Sequence, residues 1–155
     1  MKFFMIAILA LSSSAFATGY KTVSAKYTIF SNVGFGHVYY NCSLVERRVE
    51  DLLETMGAKN IRVRCHGGLD RFGGRVSTPA RVRATFDVLS TSVLDDGTIA
   101  SVKKIEIRER NSCHLYITSF KRLSKFFEIS NAKVPRCSLS RRSRRVKITF
   151  NVLKE

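Results

Sequence analysis

The amino-acid sequence predicts an α+β fold of two βαββ repeat units, with a mainly antiparallel sheet, two helices packed on one face and one disulfide within each unit. The four cysteines form two similarly spaced pairs, which are Cys42 with Cys65 and Cys113 with Cys137. A helical stripe of apolar residues lies inside each pair. The hexapeptide ATFDVL (84–89) after the first pair is matched by ITFNVL (148–153) after the second. Because these features agree in order, we interpret the second half of the chain as a duplication of the first.

The chain divides into three segments. Residues 1–17 are predicted to be a signal peptide, residues 18–94 hold a leading segment and the first βαββ unit, and residues 95–155 hold the second unit. The two units are expected to form one compact domain, since about 140 residues suffice to bury a single core.

The predicted signal peptide has the three parts that secretion requires. Lys2 is followed by an apolar run over 3–11 and by small residues at Ala15 and Ala17. Cleavage is expected after Ala17, and the apolar run is too short to cross a bilayer. No later run is long enough to do so. The sequence therefore predicts a periplasmic or secreted protein with no transmembrane segment after processing.

Two short strands are predicted before the first cysteine. KYTIF (26–30) is predicted to be an edge strand, and NVGFG (32–36) is predicted to be a turn. GHVYYN (36–41) alternates Val38 and Tyr40 with their neighbours, which predicts the first strand of the first unit.

The first helix is predicted to begin at Ser43. Ser43 and Glu46 fit a capping box, in which each side chain accepts a hydrogen bond from a backbone N–H that the helix leaves unpaired. Gly57 is expected to end the helix, because glycine adopts the left-handed conformation at no steric cost. One apolar stripe with helical spacing comprises Val45, Val49, Leu52, Leu53 and Met56.

Two strands and a loop are predicted to complete the first unit. IRVRC (61–65) and ARVRATFDVL (80–89) alternate apolar and polar residues, as half-buried strands do. Residues 66–80 contain two Gly-Gly pairs and a proline and are predicted to form a long exposed loop.

The second unit repeats these patterns. SVKKIEIRER (101–110) is predicted to be a strand, and the helix after it is expected to be capped by Asn111 or Ser112. The apolar stripe of this helix comprises Tyr116, Phe120, Leu123 and Phe127.

The unit is predicted to close with two strands. A short strand around Val134 is expected to end at Cys137, and Pro135 marks it as an edge strand or an irregular one. RVKITFNVL (145–153) is predicted to be the final strand.

The cysteine pairs are predicted to be disulfides, Cys42 with Cys65 and Cys113 with Cys137. A helix of about thirteen residues runs back roughly 20 Å, so the next strand returns to the edge where the helix began. The alternative uses the adjacent Cys-His dipeptides as metal ligands or as a thiol with its base. Metal-binding pairs lie two to four residues apart, whereas more than twenty residues separate these cysteines. We therefore assign no metal site and no cofactor.

Cations dominate the charged residues, with 27 lysines and arginines against 12 aspartates and glutamates and a formal net charge of +15. In the predicted strands these cations take the phase opposite to the apolar residues. If the helices cover one face of the sheet, the other face becomes basic. The cations on this phase are Arg62, Arg64, Arg81, Arg83, Lys104, Arg108, Arg145 and Lys147. Such a face attracts polyanions in a salt-dependent way, and the alternative is a solvated face that maintains solubility.

Two predicted loops add basic residues. GGLDRFGGR can expose backbone N–H groups beside Arg71 and Arg75, which are the components of an anion-binding nest, although such a stretch also serves as a flexible connection. The run SRRSRR, typical of phosphate-contacting segments, supplies Arg141, Arg142, Arg144 and Arg145.

Catalysis has little support in the sequence. His37, His66 and His114 have no motif that links them to a serine, a carboxylate pair or a metal set, so no catalytic residue is assigned. The sequence favours a non-enzymatic module that binds an anionic surface or polymer: an envelope glycolipid, a nucleic acid or an acidic partner protein. The alternatives are a structural or partner-binding envelope protein without intrinsic activity and a secreted hydrolase.

Overall fold

The structure, a computed structural model, describes residues 19–29, 31–33, 36–69, 76–89, 101–110, 112–137 and 145–154. These residues contain two α-helices and two three-stranded antiparallel sheets, which confirms the predicted α+β class. The predicted signal peptide lies outside the described residues. In chain order the elements are β1 (Tyr20–Ile29), β2 (Ser31–Val33), β3 (Gly36–Val38), α1 (Cys42–Thr55), β4 (Lys59–Leu69), β5 (Val76–Leu89), β6 (Ser101–Arg110), α2 (Cys113–Leu123), a 3-10 turn (Ser124–Phe126), β7 (Ile129–Lys133) and β8 (Arg145–Lys154).

Each three-stranded sheet has the last strand of its unit in the centre. The order is β1-β5-β4 in the first sheet and β6-β8-β7 in the second, while β2 and β3 form a separate hairpin. The pairing between β1 and β5 is continuous over ten residue pairs, and so is the pairing between β6 and β8. The shared strand order agrees with the predicted βαββ repeat, and the described strands form two sheets and not one continuous sheet.

A repeated bulge marks corresponding positions in β4 and β7. Over residues 59–62, β4 has one residue more than its partner strand, and Asn60 within it has a φ of 49°. Over residues 130–133, β7 has the same excess, and Asn131 has a φ of 53°. Asparagine adopts this left-handed conformation more readily than most residues, and a bulge needs an irregular residue at this point. The same irregularity with the same residue type supports the duplication.

Helix α1 buries the predicted apolar stripe and ends as predicted. The stripe residues, each 0 or 1% exposed, are Val45, Val49, Leu52, Leu53 and Met56. Gly57 follows the helix with a φ of 91°, which a residue with a Cβ adopts only under strain.

The predicted capping box at the start of α1 is wrong. The N-cap is Asn41, whose side-chain oxygen accepts a hydrogen bond from the Ser43 N–H at 2.9 Å. Glu46 instead accepts the backbone N–H of Cys65 at 2.7 Å. Since β4 lies at the edge of its sheet, its outer backbone groups have no neighbouring strand, and the Glu46 carboxylate satisfies one of them. A pattern search cannot distinguish this long-range acceptor from a local cap.

Helix α2 begins after Ser112, one of the two predicted caps, although the Ser112 side chain makes no capping hydrogen bond. The stripe residues buried in the helix are Tyr116, Phe120 and Leu123. Phe127 lies beyond the helix in extended backbone and is half-buried. Its ring stacks on Phe86 with 5.7 Å between centroids.

The strands before α1 differ from the prediction. The edge strand predicted at KYTIF is longer, β1, and it is the true first strand of the unit. In the described part of the chain, the strand predicted over 36–41 is confined to 36–38, where it pairs with β2. The Tyr40 carbonyl accepts the Leu69 N–H at 3.1 Å, and Asn41 is still in extended backbone before the helix begins at Cys42.

The long exposed loop predicted over 66–80 is also wrong in part, because β4 occupies 66–69 and β5 occupies 76–80. Gly67 and Gly68 have φ values of 85° and 76°, and the pairing register shifts beside them. The two glycines therefore lie within β4 and do not end it, and the extra residues at the register shifts belong to β5.

The short strand of the second unit lies before Val134 and not around it, since β7 ends at Lys133. Its edge position agrees with the prediction from Pro135. Proline has no N–H to donate, so a strand that approaches Pro135 cannot extend its ladder past it.

One hydrophobic core includes residues from both units. Phe86 in β5 contacts Phe126 and Phe127, which follow α2, with ring centroids 6.0 and 5.7 Å apart. The buried Tyr27 hydroxyl donates to Ser119 Oγ in α2 at 3.1 Å, and burial raises the pKa of Tyr27 to about 12. The two units are therefore packed against each other through side chains.

The disulfides are those predicted. Cys42 is bonded to Cys65 with 5.2 Å between Cα atoms, and Cys113 to Cys137 with 5.8 Å. All four cysteines are paired, so the chain presents no thiol as a nucleophile. Among the described helices, none is both long and apolar enough to cross a membrane.

Candidate anion-binding face

The first sheet has one side packed on the core and one side in solvent. On β5 the residues Val82, Ala84 and Phe86 are at most 3% exposed, and the residues between them point to the other side. We call this other side the first open face. Its residues are Thr22, Ser24, Lys26 and Thr28 of β1, Arg62, Arg64 and His66 of β4, and Arg81, Arg83, Thr85 and Asp87 of β5.

Strand pairing arranges the first open face in rows that run across the sheet. The central row joins Lys26 to Arg83 and Arg83 to Arg64. Neighbouring strands lie about 4.8 Å apart and alternate residues along a strand about 7 Å apart, so cations of adjacent strands are close neighbours. The rows on either side are Thr28, Arg81 and His66, and Ser24, Thr85 and Arg62.

The five cations of these rows are exposed, and none forms an ion pair or a hydrogen bond with another residue in the described part of the chain. They are Lys26, Arg62, Arg64, Arg81 and Arg83. A surface depression of about 520 Å³ lies beside three of them, Lys26, Arg81 and Arg83, and is also lined by Tyr27, Thr28, His66 and Val82. The positive charge of this face is thus available to a ligand.

Asp87 lies at the far end of the same face, beyond the Ser24 row. Its carboxylate accepts hydrogen bonds from Thr22 Oγ1 at 2.6 Å and from Asn60 Nδ2 at 2.7 Å. These hydrogen bonds, that from Thr22 first, lower the pKa of Asp87 below its ordinary value of 3.8. Nearby, the Lys59 ammonium lies 4.3 Å from the centroid of the Tyr20 ring. Asp87 therefore joins β1 to β4 across β5 and, within the described residues, forms no ion pair with the cations of these rows.

We expect Thr22→Val to raise the pKa of Asp87 toward 3.8. The folded pKa lies below the unfolded one, so the stabilising contribution of Asp87 is fully present above the ordinary pKa and is lost as the pH falls through the folded pKa. NMR titration of the Asp87 carboxyl carbon in the wild type and in Thr22→Val measures the shift. Thr28→Val, which removes a hydroxyl of the same strand remote from Asp87, is the matched control, and an unchanged Asp87 pKa in Thr22→Val would contradict the assigned cause.

The second sheet has an equivalent face, which we call the second open face. Its exposed cations are Lys104, Arg108, Lys133 and Lys147, and a depression of about 570 Å³ lies beside three of them. Here a carboxylate is present among the cations. Glu106 accepts from Lys147 at 3.0 Å and pairs with Arg108, and these hydrogen bonds, that from Arg108 first, lower the pKa of Glu106. This face is partly neutralised from within.

Of the predicted binding residues, the structure brings Arg62, Arg64, Arg81 and Arg83 together on the first open face and places Lys147 on the second. Arg145 is the first residue of β8, and its side chain is outside the described part. The arginines of the predicted nest and of the basic loop also lie outside it, namely Arg71, Arg75, Arg141, Arg142 and Arg144, whereas Gly67 and Gly68 of the predicted nest lie in β4.

Sequence reasoning missed Lys26, Thr28 and His66 on the first open face. The signal was present in KYTIF, where Lys26 and Thr28 alternate with Tyr27 and Ile29, both buried. That strand was not expected to pair with β5, so its polar residues were not placed beside Arg81 and Arg83.

No described residues form a group of three or more His, Cys, Asp or Glu side chains that could hold a metal ion. His66 is exposed on the first open face, and His114 is half-buried in the first turn of α2. These histidines therefore lie on different elements, and the depression beside His66 is lined by three cations together with Tyr27, Thr28 and Val82.

Comparison of the chain with protein-family models, curated proteins and solved structures found no significant match.

Proposed function

We propose that this protein is an exported, non-enzymatic module that binds an anionic polymer or surface through the first open face. The observation that carries the proposal is the set of five exposed cations, three of them in one row, with no ion-pair partner among the described residues. Like charges held a few ångströms apart repel and raise the free energy of the folded protein, and a bound polyanion offsets that repulsion.

Four of the five cations are arginines. A guanidinium presents a planar array of donors that matches phosphate, sulfate or carboxylate oxygens in pairs. The five cations lie within about 10 Å across the strands and 14 Å along them, so several anionic groups of one ligand can be bound together. This arrangement supports recognition of a polymer more than of a single small ion.

The polar character of the first open face limits the classes of ligand that it can bind. None of the nine residues in the three central rows is Phe, Tyr, Trp or aliphatic. Single-stranded nucleic acids are bound largely by stacking bases on aromatic rings, and membrane insertion needs an apolar anchor. The hydroxyls of Ser24, Thr28 and Thr85 instead supply hydrogen-bonding groups between the cations. We favour an anionic glycan, either a polysaccharide or the headgroup of an envelope glycolipid.

The proposed export rests on the N-terminal sequence and on the disulfides. The charged, apolar and small-residue regions of the first 17 residues match a signal peptide with cleavage after Ala17. Two disulfides in a domain of this size are typical of proteins that fold in an oxidising compartment, the periplasm or the exterior.

The test is retention on immobilised heparin, an anionic glycan, as a function of salt. We expect the variant with Arg62, Arg64, Arg81 and Arg83 each changed to Gln to elute at clearly lower salt than the wild type. In solution, the slope of log K against log salt should become less steep, by about one for each arginine that neutralises an anionic group of the ligand in the wild type. Glutamine keeps most of the side-chain length, so folding should be unaffected.

The matched control removes four positive charges from exposed positions outside both open faces, by changing Arg47, Lys121, Arg122 and Arg136 to Gln. It lowers the net charge equally and should elute much closer to the wild type. If the two variants elute together, only the total charge matters and the face has no special role. If neither the wild type nor the variants are retained, the structural or partner-binding alternative is favoured.

A further inference from the structure

The two open faces correspond to each other residue by residue. The matching hexapeptides align Thr85 with Thr149. Two residues earlier, just before the hexapeptides begin, the same alignment places Arg83 opposite Lys147. In the first sheet Arg83 pairs with Lys26, and in the second Lys147 pairs with Arg108. The pair Lys26 and Arg83 is therefore the counterpart of the pair Arg108 and Lys147.

The two faces differ two residues before Lys26 in β1 and two residues before Arg108 in β6. Thr149 pairs with Glu106, whereas its counterpart Thr85 pairs with Ser24. Glu106 is in contact with both cations of its own face, Arg108 and Lys147. In the second unit a carboxylate of the chain thus occupies the position between the cations, and in the first unit that position holds a short hydroxyl side chain.

We infer that Lys26 and Arg83, with Arg64 next in the same row, form an oxyanion subsite over Ser24, and that Glu106 fills the equivalent subsite of the second unit as an internal anion. This inference rests on the proposed function and specifies the position on the first open face at which an anionic group of the ligand binds. The contacts of Glu106 show that a pair of cations in this cross-strand arrangement can hold a carboxylate. The ligand group is an oxyanion: a carboxylate, sulfate or phosphate of an anionic glycan.

The duplicated faces would then have different roles. The first binds the external ligand. The second, where one carboxylate is already bound by two cations, contributes less to binding than its four exposed cations suggest. Removing the Glu106 carboxylate should therefore create a second subsite. Adding a carboxylate at the equivalent position of the first unit should block the subsite there.

The decisive variant is Ser24→Glu, with heparin oligosaccharide as the probe. We expect its binding constant to fall at least tenfold at low salt and its salt slope to become less steep by about two, since Lys26 and Arg83 become engaged by the new carboxylate. Ser24→Gln adds similar bulk without charge; it removes the Ser24 hydroxyl but should lose far less binding than Ser24→Glu and should keep the salt slope of the wild type. Ser101→Glu adds the same charge at an exposed position of β6 outside the first open face and should have a much smaller effect.

The reciprocal variant is Glu106→Gln. We expect it to bind heparin more tightly and with a steeper salt slope, because Arg108 and Lys147 are then without their internal partner. Glu54→Gln removes the same charge from the exposed side of α1 and should leave the slope unchanged. Thermal melts of all variants separate a loss of binding from a loss of folding.

The outcomes distinguish this inference from the proposed function. If the four-arginine variant loses binding but Ser24→Glu and Ser101→Glu have equal effects, the first open face binds polyanions without this subsite and the inference is wrong. If Ser24→Gln is as impaired as Ser24→Glu, the effect is steric and the inference is also wrong. Double-stranded DNA and sugar-free anionic phospholipid vesicles serve as further probes. Binding to either that equals heparin binding at matched salt would contradict the assignment to a glycan.

Discussion

Phe86→Ala is expected to lower the free energy of unfolding by about 3–5 kcal/mol. Phe86 is fully buried in the central strand of the first sheet, and its ring contacts Phe126 and Phe127 of the second unit. Removing it deletes the transfer free energy of the ring and the interactions between the rings, and it leaves a cavity in the core.

Equilibrium unfolding in urea, followed both by the tyrosine signal and by far-ultraviolet circular dichroism, measures this effect. Since Phe86 connects the units, we expect both probes to shift together in one transition. Val102→Ala, at a site that is 66% exposed, is the control and should change the stability by less than about 0.5 kcal/mol. Separate transitions, with only one of them shifted by Phe86→Ala, would show that the two units do not unfold as one core.

The double substitution of Cys42 and Cys65 by Ser is expected to lower the free energy of unfolding by about 3 kcal/mol. The bond closes a loop between residues 23 positions apart, and cutting it returns conformational entropy to the unfolded chain. It also removes the covalent link between the start of α1 and β4, where the hydrogen bonds from the Cys65 N–H to Glu46 and from the Leu69 N–H to the Tyr40 carbonyl would remain.

The matched comparison is the double substitution of Cys113 and Cys137, which opens a loop of nearly equal length. The chain-entropy account predicts similar losses for the two variants, measured by denaturation without reductant. A much larger loss at Cys42 and Cys65 would indicate that the bond acts through the native contacts of α1 with β4. A loss below about 0.5 kcal/mol would contradict a stabilising role for the bond.

The sequence predicted correctly those helices and strands whose apolar residues repeat with a regular spacing over many residues. The stripe from Val45 to Met56, the alternation of β6 and the alternation of β5 each follow one template over many residues, and each is observed. The disulfides could be predicted because the rise per residue of a helix is fixed. The strand after the helix runs back over the same length, which brings Cys65 beside Cys42 at the start of the helix.

The elements that were missed depend on long-range pairing. β1 was predicted as a short edge strand because its sequence begins with few apolar residues, and its length comes from ten pairs with β5 far along the chain. Gly67 and Gly68 were predicted to lie in a loop, yet they lie in β4 with positive φ values, at the point where its register with β5 shifts. Glu46 read as a local cap, and its partner is in β4. In each of these three cases the spacing of residues in the sequence does not show which distant strand or group is the partner.

The candidate site was predictable in part for the same reason. The alternation of Arg62 with Val63 and of Arg81 with Val82 is enough to place both arginines on the solvent side of a strand. Which cations become neighbours depends on strand order and register, and these also decide that Glu106 meets Lys147 whereas the first open face has no such carboxylate within its central rows.

The central position of each unit's last strand has a consequence for the order of folding. Among the described strands, β1 and β4 each form their ladder with β5, and the closest partners in the pairing of β1 with β5 are Ile29 and Ala80, 51 residues apart. Neither edge strand can gain a ladder before β5 has been synthesised, and loops this long close slowly. Cys42 and Cys65 both precede β5, so oxidation can join α1 to β4 while the sheet is still missing its centre. An early disulfide would hold β4 near the start of α1. It would thereby reduce the number of chain conformations that are possible before β5 pairs with its neighbours.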